Sequence, residues 1–218
     1  MGWPQTGTMR LLLFCLCILL APVSALAGDL VMTVRDGAGR PVPNVVVMVR
    51  PAAGVPAGPI RFPWPFTVAQ QNIQFDPFVL IVPVGATVGF PNKDKVRHHV
   101  YSFSAGNKFE LKLFGKDETR SVVFKAVGVA AIGCNIHDAM VGFIRVVDTP
   151  WAIKTGADGV ATLRGLPAGA ATVTVWHPYL RAPKNEVVRK SVFTATGALR
   201  ESVAIELRAA APMTGMAH

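Results

Sequence analysis

Residues 132–146 read Ile132-Gly-Cys134-Asn-Ile-His137-Asp-Ala-Met140-Val-Gly-Phe-Ile-Arg-Val146. A thiol, an imidazole and a thioether follow one another at three-residue steps, directly ahead of an apolar run that favours a β-strand. One loop at the end of a strand can therefore aim all three side chains at one point. Soft sulfur beside imidazole suits copper, and two His with one Cys and a weak axial Met form the ligand set of a blue-copper site. The same pieces have plainer readings. A Cys-x-x-His pair also suits zinc, a lone Cys can be inert core, and a Met can fill a gap.

A second His must come from elsewhere in the chain. Upstream lies Val88-Gly-Phe-Pro-Asn92-Lys-Asp-Lys-Val-Arg-His98-His99-Val100-Tyr-Ser-Phe103. The two segments together resemble the cupredoxin family, which includes plastocyanin, pseudoazurin and amicyanin. They are also similar to the plastocyanin-like proteins called methylamine utilization proteins. The family pattern is V-x-F-x-N, then His six residues after the Asn, and later C-x2-H-x(2 or 4)-M ahead of a strand. Asn92 and His98 keep the first spacing; Cys134, His137 and Met140 keep the short form of the second, the amicyanin length. Phe75-Asp-Pro77 and Val82-Pro-Val-Gly85-Ala-Thr-Val88 match the family's early strands, so the likeness covers nearly all of residues 72–148.

The resemblance implies a Greek-key β-sandwich holding one type 1 copper per chain. His98, Cys134 and His137 would be equatorial ligands and Met140 the axial one. Asn92 and His99 would stand beside the ligands rather than on the metal. His99 takes the place where relatives usually carry an Asn that pins the two ligand loops together, and Arg97 stands where many carry Pro. His99 is the alternative first ligand, although His98 fits the six-residue spacing. His177, next to Pro178, is read as structural or exposed.

The flanks carry a different signature. Residues 29–49 contain Asp36-Gly-Ala-Gly39-Arg-Pro41-Val, and residues 155–178 contain Thr155-Gly-Ala-Asp158-Gly159 and Leu166-Pro-Ala-Gly169 ahead of a β run. These turns resemble the carboxypeptidase regulatory-like (transthyretin-like) sandwich, which implies a fold and a docking role without catalytic residues. The expected order is a leader over 1–27, the first part of this sandwich over 28–51, and a Pro-rich linker over 52–68. A cupredoxin domain over 69–148, the second part of the sandwich over 149–209 and a flexible tail over 210–218 follow. The whole reads as all-β, one sandwich inserted in or beside another. Short β-branched runs recur between Gly, Pro, Asn and Asp, and no segment shows a sustained helical period.

The leader has one positive charge at Arg10, an apolar run over 11–20, Pro22, and Ala25-Leu-Ala27 as a small-residue cleavage site. Export to the periplasm or beyond is therefore expected, with no membrane span left after cleavage. Two of the three cysteines depart with the leader, leaving Cys134 alone in an oxidising compartment, where a free thiol needs a use. The formal charge of the whole chain is +9. Its basic residues are scattered rather than striped, which argues against nucleic acid and for an acidic protein partner or an anionic envelope surface. Lys93, Lys95 and Arg97 lie near His98 and are candidates for docking it. There is no nucleophile–base spacing and no phosphate loop, so an electron carrier is expected rather than a catalyst. The other expected class is an envelope module that shuttles or senses copper, or binds carbohydrate or protein through its flank.

Overall fold

The computed structural model describes residues 1–2 and 27–209. The expected leader, apart from residues 1–2 and Ala27, and the expected tail lie outside the described residues. Two strands come first, β1 (Ala27–Asp36) and β2 (Val46–Pro51). Next comes a short hairpin, β3 (Ala69–Gln70) and β4 (Phe75–Asp76). Then follow β5 (Val79–Pro83), β6 (Thr87–Pro91), β7 (His98–Ser102), β8 (Phe109–Phe114), β9 (Thr119–Val123), β10 (Gly128–Gly133) and β11 (Val141–Val147). The last group is β12 (Ala152–Lys154), β13 (Val160–Pro167), β14 (Gly169–Trp176), β15 (Glu186–Phe193) and β16 (Ala198–Ile205). Among the described residues the helical structure is a single 3-10 turn, Pro183–Asn185, so the chain is all-β as its sequence pattern predicts. No helix among them is long and apolar enough to cross a membrane.

The sheets stack in four layers. An outer sheet in the order β13-β1-β16 faces a sheet in the order β12-β2-β14-β15. Leu30, Met32, Val47, Val49, Val173 and Val175 fill the space between these two. The third layer runs β5-β11-β10-β7-β8, and the pairs β6-β9 and β3-β4 cover its far side. Leu80, Val82, Phe90, Phe114, Ile144 and Val146 make up that second core. Between the second and third layers lies a further apolar seam of Val46, Met48, Val79, Ile81, Val147 and Trp176. Burying each such side chain contributes roughly 1.5–3 kcal/mol, so the seam holds the layers together like a core.

The period-two alternation of strands explains this stacking. In β11, Gly142, Ile144 and Val146 are buried on one face, while Phe143, Arg145 and Val147 look toward the other pair of sheets. β5 is buried on both faces, which is why its sequence is a continuous apolar run. Arg145 crosses the seam: its Nη2 donates to Glu186 Oε1 at 2.7 Å, and its guanidinium lies 5.4 Å from the centre of the Trp176 ring. Arg50 pairs with Asp148 along the same seam.

The Pro-rich stretch lies along this seam. Trp64 stacks on Phe62 at 4.7 Å between ring centres, and its Nε1 donates to Ile81 O at 2.8 Å. Val68 N–H donates to Gly89 O, so pairing with β6 starts before β3. The Asp158-Gly159 turn needs its glycine. Gly159 has φ +73°, and a Cβ there would stand 2.5 Å from Val34 O. Strands β8 and β15, which contain charged residues, were less legible than the apolar runs. Both are sheet edges: β8 exposes Glu110 and Lys112, and β15 exposes Arg189 and Lys190, as edge strands commonly do, while Glu186 turns into the seam.

Candidate metal centre

Two elements of the third layer build the site. His98 opens β7, and Cys134 follows directly on β10. The two strands run side by side with Tyr101 opposite Gly133. Alternation along β7 sends His98 and Val100 into the second core, and His99 and Tyr101 to the opposite face. After Cys134 the chain turns through His137, whose carbonyl accepts the Met140 N–H at 2.8 Å, and then enters β11. This tight turn sends Met140 back inward. Met140 and Cys134 belong to the same buried cluster, with Met140 fully buried.

The ligand atoms of His98, Cys134 and His137 all lie within 4.8 Å of one another. Cys134 Sγ stands 3.9 Å from His98 Nδ1, and the two imidazole centres are 5.1 Å apart. His98 is wholly enclosed and Cys134 nearly so, whereas His137 is half-buried at the loop surface. The Nδ1 atom of His137 is buried and makes no hydrogen bond. A buried nitrogen without a partner is costly, and a metal ion is one group that satisfies it. A soft thiolate with two imidazole nitrogens and a thioether close by fits copper.

Asp94 fixes the other side of His98, a role the sequence reading missed. Its Oδ2 lies 2.8 Å from His98 Nε2. The same carboxylate accepts the Asn72 N–H at 2.7 Å and the Ile73 N–H at 3.0 Å. Burial pushes the Asp94 carboxyl up, but the bonds from Ile73, His98 and Asn72 outweigh it and hold the group below the usual carboxylate range. An ionised Asp94 accepts a proton-bearing Nε2 and leaves Nδ1 free to face the sulfur. At many metal sites a carboxylate orients a metal-binding histidine in this way. The available signal was an Asn-x-Asp turn with the acid four residues before His98.

Asn92 is 1% exposed and ties this loop down. Its Nδ2 donates to Val96 O at 2.9 Å and to Phe114 O at 3.1 Å, and its Oδ1 accepts the Asp94 N–H at 2.9 Å. His99 points away from the cluster, with Nε2 at 2.9 Å from Glu110 Oε1. Of the two adjacent histidines, His98 is the one gathered with Cys134 and His137. Lys93, Lys95 and Arg97 are exposed on the loop leading into β7, and Arg97 also donates to Leu113 O. Ile136, beside His137, is 49% exposed, so the loop presents an apolar tip with a basic neighbour.

No protein-family profile and no curated protein matches this chain. Among solved structures, a copper-containing nitrite reductase from Thermus scotoductus SA-01 is 32% identical over 40% of this chain, with a TM-score of 0.37. The chain spans only 23% of that reductase. A purple cupredoxin from Nitrosopumilus maritimus is 25% identical over 37% of this chain and 98% of its own, with a TM-score of 0.34. A reduced variant of amicyanin is 21% identical over 48% of this chain and 99% of its own, with a TM-score of 0.36. The TM-scores are low, and the functional reading rests on the ligand geometry.

Proposed function

We propose that the chain is an exported copper protein of the blue type that carries single electrons, with one copper per chain. The observation that carries this reading is the gathering of His98, Cys134 and His137 around the unpartnered Nδ1 of His137. Cys134 would supply the thiolate, the Nδ1 atoms of His98 and His137 the imidazole nitrogens, and Met140 the weak axial sulfur. Copper held there supplies one-electron exchange between Cu(II) and Cu(I). Two strands of one sheet hold His98 and Cys134, so these groups are set in place before any metal arrives. The surrounding apolar core keeps water from the sulfur. His137, half-buried at the loop tip, offers the short route to a partner, and exposed Lys93, Lys95 and Arg97 favour an acidic one.

Residues 69–148 are assigned on this reading to the copper domain, and residues 28–51 with 149–209 to a carboxypeptidase regulatory-like sandwich that braces or docks it. Export after a cleaved leader, to the periplasm or beyond, belongs to the same proposal. The test is the visible spectrum of purified, copper-loaded protein. An intense band near about 600 nm is expected from thiolate-to-copper charge transfer. Cys134→Ser should abolish it. A colourless protein that still binds copper would instead favour a module that shuttles or senses the metal.

A further inference from the structure

A cleft of about 330 Å³ opens beside the seam; none of His98, Cys134, His137 and Met140 lines it, and it comes nearest the metal side at Lys93, next to Asp94. Its apolar lining includes Trp64, Pro77 and Ile81. The Trp64 ring is fixed there by its stack on Phe62 and its bond to Ile81 O, so this wall is rigid before any ligand arrives. Two ammonium groups, Lys93 and Lys154, and one carboxylate, Asp76, are its charged members.

Lys154 is the unusual member. It projects from β12 in the second layer and is half-buried against the third, where its Nζ donates to Val79 O at 3.0 Å. Burial pushes its pKa down, with Asp76 partly opposing. Yet among the described residues no carboxylate lies within ion-pair distance of either Lys154 or Lys93. A partly desolvated ammonium whose carboxylate neighbour, Asp76, stands beyond ion-pair distance, set against an aromatic wall, is half of a recognition site. With two cations against one anion, the missing half is negative.

We propose that this cleft binds a small amphipathic monocarboxylate, its carboxylate on Lys154 and its apolar body against Trp64. At about 30 Å³ for each water-sized group, the cleft accommodates on the order of ten non-hydrogen atoms. Lys93 contributes a second, more exposed charge at the mouth. Asp76 disfavours ligands with a second negative group. The site does not depend on copper, and its ligand is bound whether or not the metal centre is loaded.

The probe is 3-phenylpropionate, titrated calorimetrically into the full mature chain, with 3-phenylpropanol and 3-phenylpropylamine as uncharged and cationic counterparts of the same shape. One-to-one binding of the carboxylate is expected, with the alcohol weaker by roughly tenfold or more for want of the charge-assisted contact. Lys154→Met keeps the stem and removes the charge, and should weaken the carboxylate to the level of the alcohol. Lys93→Gln should have a smaller effect, because its charge is exposed to solvent. Absence of carboxylate binding at about 10 mM, tenfold above a millimolar dissociation constant, would overturn the proposal. Equal binding of the alcohol would do the same, as would a folded Lys154→Met variant of undiminished affinity. If that variant does not fold, the comparison of the three probes on the unaltered chain decides.

Discussion

Replacing Asp94 by asparagine probes the metal centre through a residue that holds no metal. The carboxylate accepts three hydrogens, from Asn72 N, Ile73 N and His98 Nε2, at 2.7, 3.0 and 2.8 Å. An amide has one oxygen and one NH₂, so no orientation serves all three. With its oxygen toward Ile73 and His98, the amide sets its NH₂ against the Asn72 N–H. Flipped, it sets the NH₂ against Ile73 N–H and donates to His98 Nε2, which moves the ring proton to Nδ1, the atom facing Cys134 Sγ. The first orientation loses one hydrogen bond and turns the others from charge-assisted to neutral. The Asn72 bond is exposed, so its loss costs about 0.5–1.5 kcal/mol, and each of the two weakened bonds costs about 1 kcal/mol; the metal-free protein should therefore lose roughly 2.5–3.5 kcal/mol. Copper affinity should fall about 10- to 100-fold, as for other groups that orient a metal-binding histidine. Urea unfolding of the metal-free protein and competition for Cu(I) with a chelator measure the two quantities separately. If stability drops while affinity stays within about threefold of the parent, Asp94 only staples its loop and does not orient His98. If neither changes, the hydrogen-bond assignment itself fails.

Other expectations follow from groups elsewhere in the fold. His177 is 5% exposed, accepts the Tyr179 N–H on Nδ1, and burial lowers its pKa from 6.5 to about 4. Between those values the unfolded chain takes up a proton that the folded one refuses, so stability should fall as pH drops from 6.5 to 4, by up to about 3 kcal/mol. His177→Gln should flatten that part of the stability–pH curve, measured by urea unfolding at each pH; an unchanged curve would contradict the assigned burial. Arg145→Leu leaves the mostly enclosed Glu186 carboxylate without its partner, and should destabilise by about 2–4 kcal/mol. The double change Arg145→Leu with Glu186→Leu should recover much of that loss, as thermal unfolding of the three variants would reveal. Electron exchange with an acidic partner should slow as salt rises, because steering by Lys93, Lys95 and Arg97 is screened over about 10 Å at 0.1 M. A rate flat from low to high ionic strength would remove these residues from docking.

How far the site could be read in advance depended on how local each part is. Cys134, His137 and Met140 sit within one turn, so their spacing alone foretells that they converge. The apolar runs over 45–49 and 80–82 likewise announce strands, and the structure buries both faces of each. His98 is different, because 36 residues separate it from Cys134 and their approach depends on β7 lying beside β10. The choice of His98 over His99 is one of strand phase, which alternation suggests and pairing decides. Asp94 went unread because its meaning comes from Asn72 and Ile73, more than twenty residues earlier, and from which nitrogen of His98 it meets.

The largest gap between sequence and structure lies at the layers. β1 runs parallel to β16, pairing Asp29 with Ala198 through Asp36 with Ile205 across nearly the whole described chain. Turn motifs at Asp36 and Asp158 mark where strands reverse, but a turn carries no information about which distant strand will be its neighbour. The sequence by itself determined the all-β character, the turns and the local ligand loop, since each follows from the conformational preferences and spacing of neighbouring residues. Only the tertiary structure decided the seam that packs β2 against β5 and β11, the hydrogen bond that orients His98, and the cleft at Lys154. Each of these arises where side chains distant in sequence exclude water from the same space, and no local preference encodes such a meeting.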